Sequence, residues 1–144
     1  MNIRKKQNVA VCKKNITIAD IIRIAKESAE NSYAPYSGHK VGAAVATDSG
    51  IFSGSNVENR SYGLTVCAER SAVFSAVSCG AKRIEIIAVH CGTFIPVPCG
   101  ACLQVLSEFS DDDLKIAVSS GNKTSGSKTK TYTLGELMPK RFTV

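Results

Sequence analysis

Residues 84–109 read IEIIAVHCGTFIPVPCGACLQVLSEF, and the way this stretch changes character along its length decides the fold. Ile84 to Val89 is a short, almost wholly apolar run rich in branched residues, the mark of a strand buried on both faces. Gly92 to Val97 reads as a loop. Pro98, with its φ fixed and no N–H to lose, suits the opening turn of a helix that reaches about Phe109. After Asp111-Asp112-Asp113, Leu114 to Ser119 reads as the next strand. Working towards the N-terminus, Cys67 to Ser78 is predicted helical and stops at Gly80, a residue suited to the C′ position. Val41–Thr47 and Ile51–Asn56 make a hairpin across Asp48-Ser49-Gly50. Ile18, Ile21, Ile22, Ala25 and Ala29 have amphipathic-helix spacing, with Thr17 as cap and an end near Ser32. Towards the C-terminus, a loop of Ser, Gly, Lys and Thr over 119–130 leads to a strand at Thr131–Leu134 and a helical turn ending near Met138. Helices between successive strands predict an α/β fold, a three-layer α/β/α sandwich around one mixed sheet.

Six cysteines stand at positions 12, 67, 79, 91, 99 and 102. No signal peptide pattern precedes them, so a clustered subset reads as a metal or catalytic site before a disulfide framework. Cys99 and Cys102 form C-x-x-C directly after Pro98. At i and i+3 their thiols share one face, and the helix N-terminus favours the thiolates. Cys67, also at the start of a predicted helix, supplies a third. Three protein ligands leave the fourth tetrahedral position open, as in catalytic zinc sites. Glu69, two residues beyond Cys67, is suited to exchange a proton with water at that position without ligating the metal. A lone C-x-x-C is often structural, and Cys91 offers a fourth thiol, so a closed four-cysteine site is the main rival; it leaves Glu69 without a role. Otherwise Cys91 and Cys79 read as buried structural thiols, Cys12 as incidental and His90 as a hydrogen-bonded packing residue.

Cys67-Ala68-Glu69-Arg70 and Pro98-Cys99-Gly100-Ala101-Cys102-Leu103-Gln104 resemble the zinc motifs of the cytidine deaminase family, in its small, homotetrameric, three-cysteine form. The resemblance covers roughly residues 17–142 and includes Tyr33-Ala34-Pro35-Tyr36-Ser37, Val41-Gly42-Ala43-Ala44 and Phe52-x-Gly54-x-Asn56-Val57-Glu58-Asn59. It implies one Zn²⁺ per subunit and a Glu69 that carries the water's proton to N3 of cytosine, with hydroxide adding at C4 and ammonia leaving. It further implies that Asn56 and Glu58 bind the ribose hydroxyls and that Ala68 makes a backbone contact to the pyrimidine. Arg70 takes the role of hydrogen-bonding thiolate sulfur, which draws off the net negative charge of three thiolates on Zn²⁺. Met138-Pro139-Lys140-Arg141-Phe142 resembles the family's closing segment, in which a Phe enters a neighbouring subunit's site; Phe142 is the candidate. Two positions depart from the pattern. Leu103 stands where Arg is usual, and His39 where a Phe usually lies against the base; His39 remains a candidate to stack there.

The expected activity is zinc-dependent hydrolytic deamination of free cytidine and deoxycytidine, within pyrimidine salvage. A deaminase of a modified or aminoacylated cytosine nucleoside, of the blasticidin S type, is the enzymatic alternative, and a zinc-stabilised binding module the non-enzymatic one. The chain of 144 residues, 44% apolar and 21% charged, has the length of one domain and ordinary globular composition. Its formal charge of +6 suggests nucleic acid until it is divided. Residues 1–16 hold five bases and no acid and read as a mobile arm before a single domain over 17–144. Residues 115–144 hold six bases against Glu136, so the body between carries seven bases against eleven acids. A nucleic-acid footprint requires a basic face around the site; the expected partners are a small nucleoside and further copies of the chain, with no nucleic acid. No run approaches the roughly 20 apolar residues of a membrane span, which sets the expected location in the cytoplasm with no membrane partner.

Overall fold

The computed structural model describes residues 16–121 and 126–142. The basic arm, with Cys12, lies outside the described residues except for Ile16. Helix α1 (Ile18–Ala29) starts at a reciprocal cap: Thr17 Oγ1 accepts from the Asp20 N–H while the Asp20 carboxylate accepts from the Thr17 N–H. A helix of this length is marginal by itself in water. Packing holds it: Ile21 and Ala25 are buried against Ala44, Ala46, Ile51, Ala88 and Ala117 of the sheet. It ends earlier than its apolar pattern suggested, because Ser32 has turned to donate its hydroxyl to the Val41 carbonyl oxygen.

Among the described residues five strands form one sheet in the order β2-β1-β3-β4-β5. β1 (Val41–Thr47) runs antiparallel to β2 (Gly50–Ser55) and to β3 (Ile84–Cys91). β3 is parallel to β4 (Lys115–Ser120), which pairs antiparallel with β5 (Lys128–Thr133). On the face opposite α1 lie α2 (Ala68–Ser78), α3 (Gly100–Ser107) and α4 (Leu134–Leu137). Ala72, Val73, Leu103, Leu106 and Leu134 pack there on Ala43, Val45, Val89, Ile116 and Val118. The alternation of Ala43 and Val45 with Ala44 and Ala46 feeds both faces from one strand, giving the three-layer sandwich that the sequence predicted.

Other boundaries also differ from expectation. β5 starts at Lys128 rather than Thr131; it is an edge strand with exposed lysines, so its polarity resembled a loop. β3 continues through His90 and Cys91, which pair with Ser119 and Ser120. Pro98 does not occupy the first turn of α3: Cys99 is the N-cap and Gly100 the first helical residue, so the proline lies just before the cap.

α2 approaches β2 so closely that a Cβ on Gly54 would run into the backbone nitrogen of Ala72. That contact, with Ala68, Ala72 and Ala76 buried on one helix face, fixes where α2 begins. Because β1 is antiparallel to β2 and β3, the start of β1 and the ends of β2, β3 and β4 lie at one edge of the sheet, and both α2 and α3 begin there. Ligands of α/β sheets bind outside the carboxyl ends of the strands.

Candidate active site

Cys67 is the N-cap residue of α2 and Cys99 that of α3, with Cys102 on the first turn of α3. Their three Sγ atoms lie within 4.8 Å of one another and are the group among the described residues that could hold a metal ion. Cys67 Sγ is 3.9 Å from Cys99 Sγ, and Cys99 Sγ is 3.6 Å from Cys102 Sγ. Zn–S bonds of about 2.3 Å at the tetrahedral angle set neighbouring sulfurs about 3.8 Å apart, so this donor set fits zinc. Cys91 is buried outside the group, with Sγ 3.3 Å from Thr93 Oγ1. The closed four-cysteine site is therefore excluded.

The protonation states fit as well. Hydrogen bonding from the Cys102 thiol, with help from Arg70, lowers Cys67 to about 5, while Cys102 is pushed up by that same hydrogen bond and by burial. Cys67 and Cys102 thus share a proton between them, and a dication held by the three sulfurs would displace it. Arg70 Nη2 donates to the Thr65 carbonyl oxygen at 3.0 Å and lies 3.8 Å from Cys67 Sγ, the sulfur contact expected of it. Its Nε is buried with no hydrogen-bond partner among the described residues. Glu69 is 5% exposed; burial, reinforced by the neighbouring Cys67 charge, pushes its carboxyl up to about 7. A group with that affinity can both take and give a proton near neutral pH. Ala68, the first residue of α2, is fully buried beside it.

The nucleoside-facing candidates are tied to one another by loops. Val57 and Val66 form an antiparallel bridge that brings the segment after β2 against the residue before Cys67. Asn56 is buried; its Oδ1 accepts from the Val41 N–H at 2.9 Å, and its Nδ2 donates to the His39 carbonyl oxygen at 3.0 Å. The Glu58 carboxylate accepts from the backbone N–H groups of Tyr36 and Ser37 and from the Ser37 hydroxyl. These bonds, led by that of the Ser37 hydroxyl, hold its pKa below the usual value. Both side chains hydrogen-bond to the 36–41 loop and help to build it. His39 is exposed, with its ring against Phe94.

Other sequence-picked residues lie apart. His90 is buried on the α1 face, where Nδ1 meets Ser119 Oγ at 2.8 Å; burial lowers its pKa, and it is the packing residue expected. Cys79, expected to be buried, is exposed because it caps the end of α2. Leu103 is 7% exposed and belongs to the core between α3 and the sheet. Phe142 is 72% exposed and lines a cavity of about 500 Å³ with Lys82, Arg83 and Asp111, at the opposite end of the sheet from its own chain's thiols. Sequence reasoning missed the Thr65 carbonyl that anchors Arg70, since a backbone acceptor leaves no residue signature. It also missed Phe94, in a loop with no period to read.

The family model for the cytidine and deoxycytidylate deaminase zinc-binding region matches residues 16–118. The chain is 43% identical over 125 residues to the cytidine deaminase of Halalkalibacterium halodurans, spanning 85% of this chain and 92% of that protein. Its fold superposes on the crystal structure of cytidine deaminase from Burkholderia pseudomallei with a TM-score of 0.80 at 40% identity, covering 88% of this chain and all of the other. It is also 33% identical over 115 residues to blasticidin-S deaminase of Bacillus cereus, across 73% of this chain and 78% of that protein.

Proposed function

Since the chain belongs to the cytidine and deoxycytidylate deaminase family, we propose that it hydrolytically deaminates free cytidine and deoxycytidine to uridine and deoxyuridine, releasing ammonia. The observation that carries this reading is the joining of a three-thiol donor set of zinc dimensions to the buried carboxyl of Glu69, two residues beyond Cys67. Cys67, Cys99 and Cys102 would hold the zinc, which would supply Lewis-acid activation of a water molecule. Glu69 would accept one proton of the attacking water and deliver it to N3 of the cytosine while the water oxygen bonds to C4. It would then carry the remaining proton of that oxygen to the amino group, which leaves as ammonia as the C4–N bond breaks and the C4 carbonyl forms. Arg70 offsets the excess negative charge at Cys67, and Asn56 and Glu58 hold the ribose, using acceptor and donor capacity that a diol can share.

The finer assignment is a single domain over residues 17–144 that assembles as a homotetramer with shared sites. Tyr62, Leu64 and Phe142 support it: these large apolar side chains are strongly exposed on the single chain. Phe142, remote from its own thiols, would then enter a neighbour's site. The cysteines among the described residues are all free, which suits the reducing cytoplasm and a place in pyrimidine salvage.

Metal-replete protein should abolish the ultraviolet absorbance that distinguishes cytidine from uridine. Glu69→Gln should keep its zinc and lose activity by about 10²- to 10⁴-fold; full activity in that variant would remove Glu69 as proton carrier. The likeness to blasticidin-S deaminase, with His39 and Leu103 at the two divergent positions, supports a second reading. Turnover of blasticidin S exceeding that of cytidine by the same preparation would make it the first.

A further inference from the structure

Single exposed apolar side chains are common on protein surfaces and ordinarily mean nothing. Phe94 differs in what it touches. It is 44% exposed, and its ring stands edge to face on His39, with centroids 5.2 Å apart and planes at 83°. That is the favoured geometry of an aromatic pair. The preceding residue holds the same imidazole: Thr93 Oγ1 lies 3.5 Å from His39 Nδ1 and 3.3 Å from the buried Cys91 Sγ at the end of β3. The backbone of His39 is fixed independently, its carbonyl oxygen accepting from Asn56 Nδ2 and its N–H donating to Ser37 Oγ. So two loops meet on one exposed ring. The 36–41 loop holds the backbone of His39, and the 92–98 loop, which continues directly into Cys99, holds its imidazole.

We propose that Phe94 is a positioning residue for the nucleoside: it sets the His39 ring as the wall on which the pyrimidine packs, in register with the metal side through the loop it shares with Cys99. This rests on the deaminase reading above and deepens it. On this proposal Phe94 acts only through the His39 ring, so its contribution is the same in the bound ground state and the transition state. Uniform binding of that kind appears in KM and leaves kcat alone.

A double-mutant cycle with cytidine as substrate tests this. Phe94→Ala should raise KM about fivefold, the scale of one aromatic pair, with kcat within about twofold and zinc content unchanged. Phe94→Tyr, which keeps the ring, should restore KM, whereas Phe94→Leu, which keeps only apolar bulk and guards against a folding defect, should not. In a His39→Ala background, Phe94→Ala should no longer change KM. An unchanged KM in Phe94→Ala, or an equal rise in both backgrounds, overturns the proposal. If the unmodified protein fails to turn over cytidine, the parent reading fails and this one with it; turnover with an indifferent Phe94 defeats this one alone.

Discussion

Cys67, Cys99, Cys102 and Glu69 are carried by helix starts seated on the core, whereas His39, Asn56, Glu58 and Phe94 are carried by loops that hold one another. The helix starts bring the three thiols together and place Cys67 where the Cys102 thiol and Arg70 favour its negative charge. Their spacing is set by close packing, as at Gly54 against Ala72. The loop wall has no such frame. Asn56 uses both ends of its amide, and Glu58 accepts three hydrogen bonds, to keep the 36–41 turn in place. One half of the site is therefore chemistry imposed on a rigid scaffold, and the other is scaffold and recognition in the same side chains. Substitutions should separate them: in the metal half they remove the ion, and in the loop wall they weaken stability and substrate affinity together.

The largest effect is expected at the thiols. Cys67→Ala, Cys99→Ala and Cys102→Ala should each lower zinc stoichiometry and abolish deamination, read by metal analysis and by turnover on the same preparation. Cys91→Ala should keep its zinc and lose only about 1 kcal/mol, because the buried sulfur leaves a small void. Zinc loss in Cys91→Ala would break the division, since a side chain next to the 92–98 loop would then belong to the metal half.

An intermediate effect is expected at Asn56. Asn56→Ala leaves the Val41 N–H and the His39 carbonyl oxygen without their partner, at a cost of about 1 kcal/mol, since both groups are only partly buried and water can reach them. Denaturant midpoints should fall accordingly, KM for cytidine should rise, and zinc content should stay at that of the unmodified protein. A variant with unaltered stability and raised KM would sharpen the comparison, making Asn56 a recognition residue whose loop needs no support.

This division also explains what the sequence revealed. The strand at Ile84–Val89 was legible as an apolar run, the hairpin by its Asp48-Ser49-Gly50 turn, and the amphipathic helix from Ile18 by its 3.6-residue period. The metal half was legible because ligands come in fixed local spacings on helix starts. Phe94 beside His39 was not, since the partners lie far apart in sequence on two aperiodic loops. Nor was the Thr65 carbonyl that holds Arg70, as any residue there would supply it. The start of β5 was missed because an edge strand facing water has the composition of a loop, and Cys79 was misjudged because a thiol at a helix end follows the cap rather than the core.

The smallest effect is expected at Glu58, and pH exposes it. Its carboxyl titrates below the ordinary value of 4.5 because the hydrogen bonds from Ser37 and Tyr36 favour the charged form. A carboxyl whose affinity for protons is lower folded than unfolded stabilises the fold above its unfolded pKa, and that contribution fades as pH falls through the folded value. Glu58→Gln keeps one acceptor oxygen but cannot ionise. Its melting temperature should lie below that of the unmodified protein at pH 7, and the gap should narrow as the pH drops past about 4.5. Acid also strips metal from thiolates, but this lowers both proteins alike, so the difference between them reports the loop. A gap constant from pH 7 to pH 3 would mean that the charge of Glu58 does nothing for the 36–41 turn, and would move Glu58 out of the scaffold and wholly into recognition.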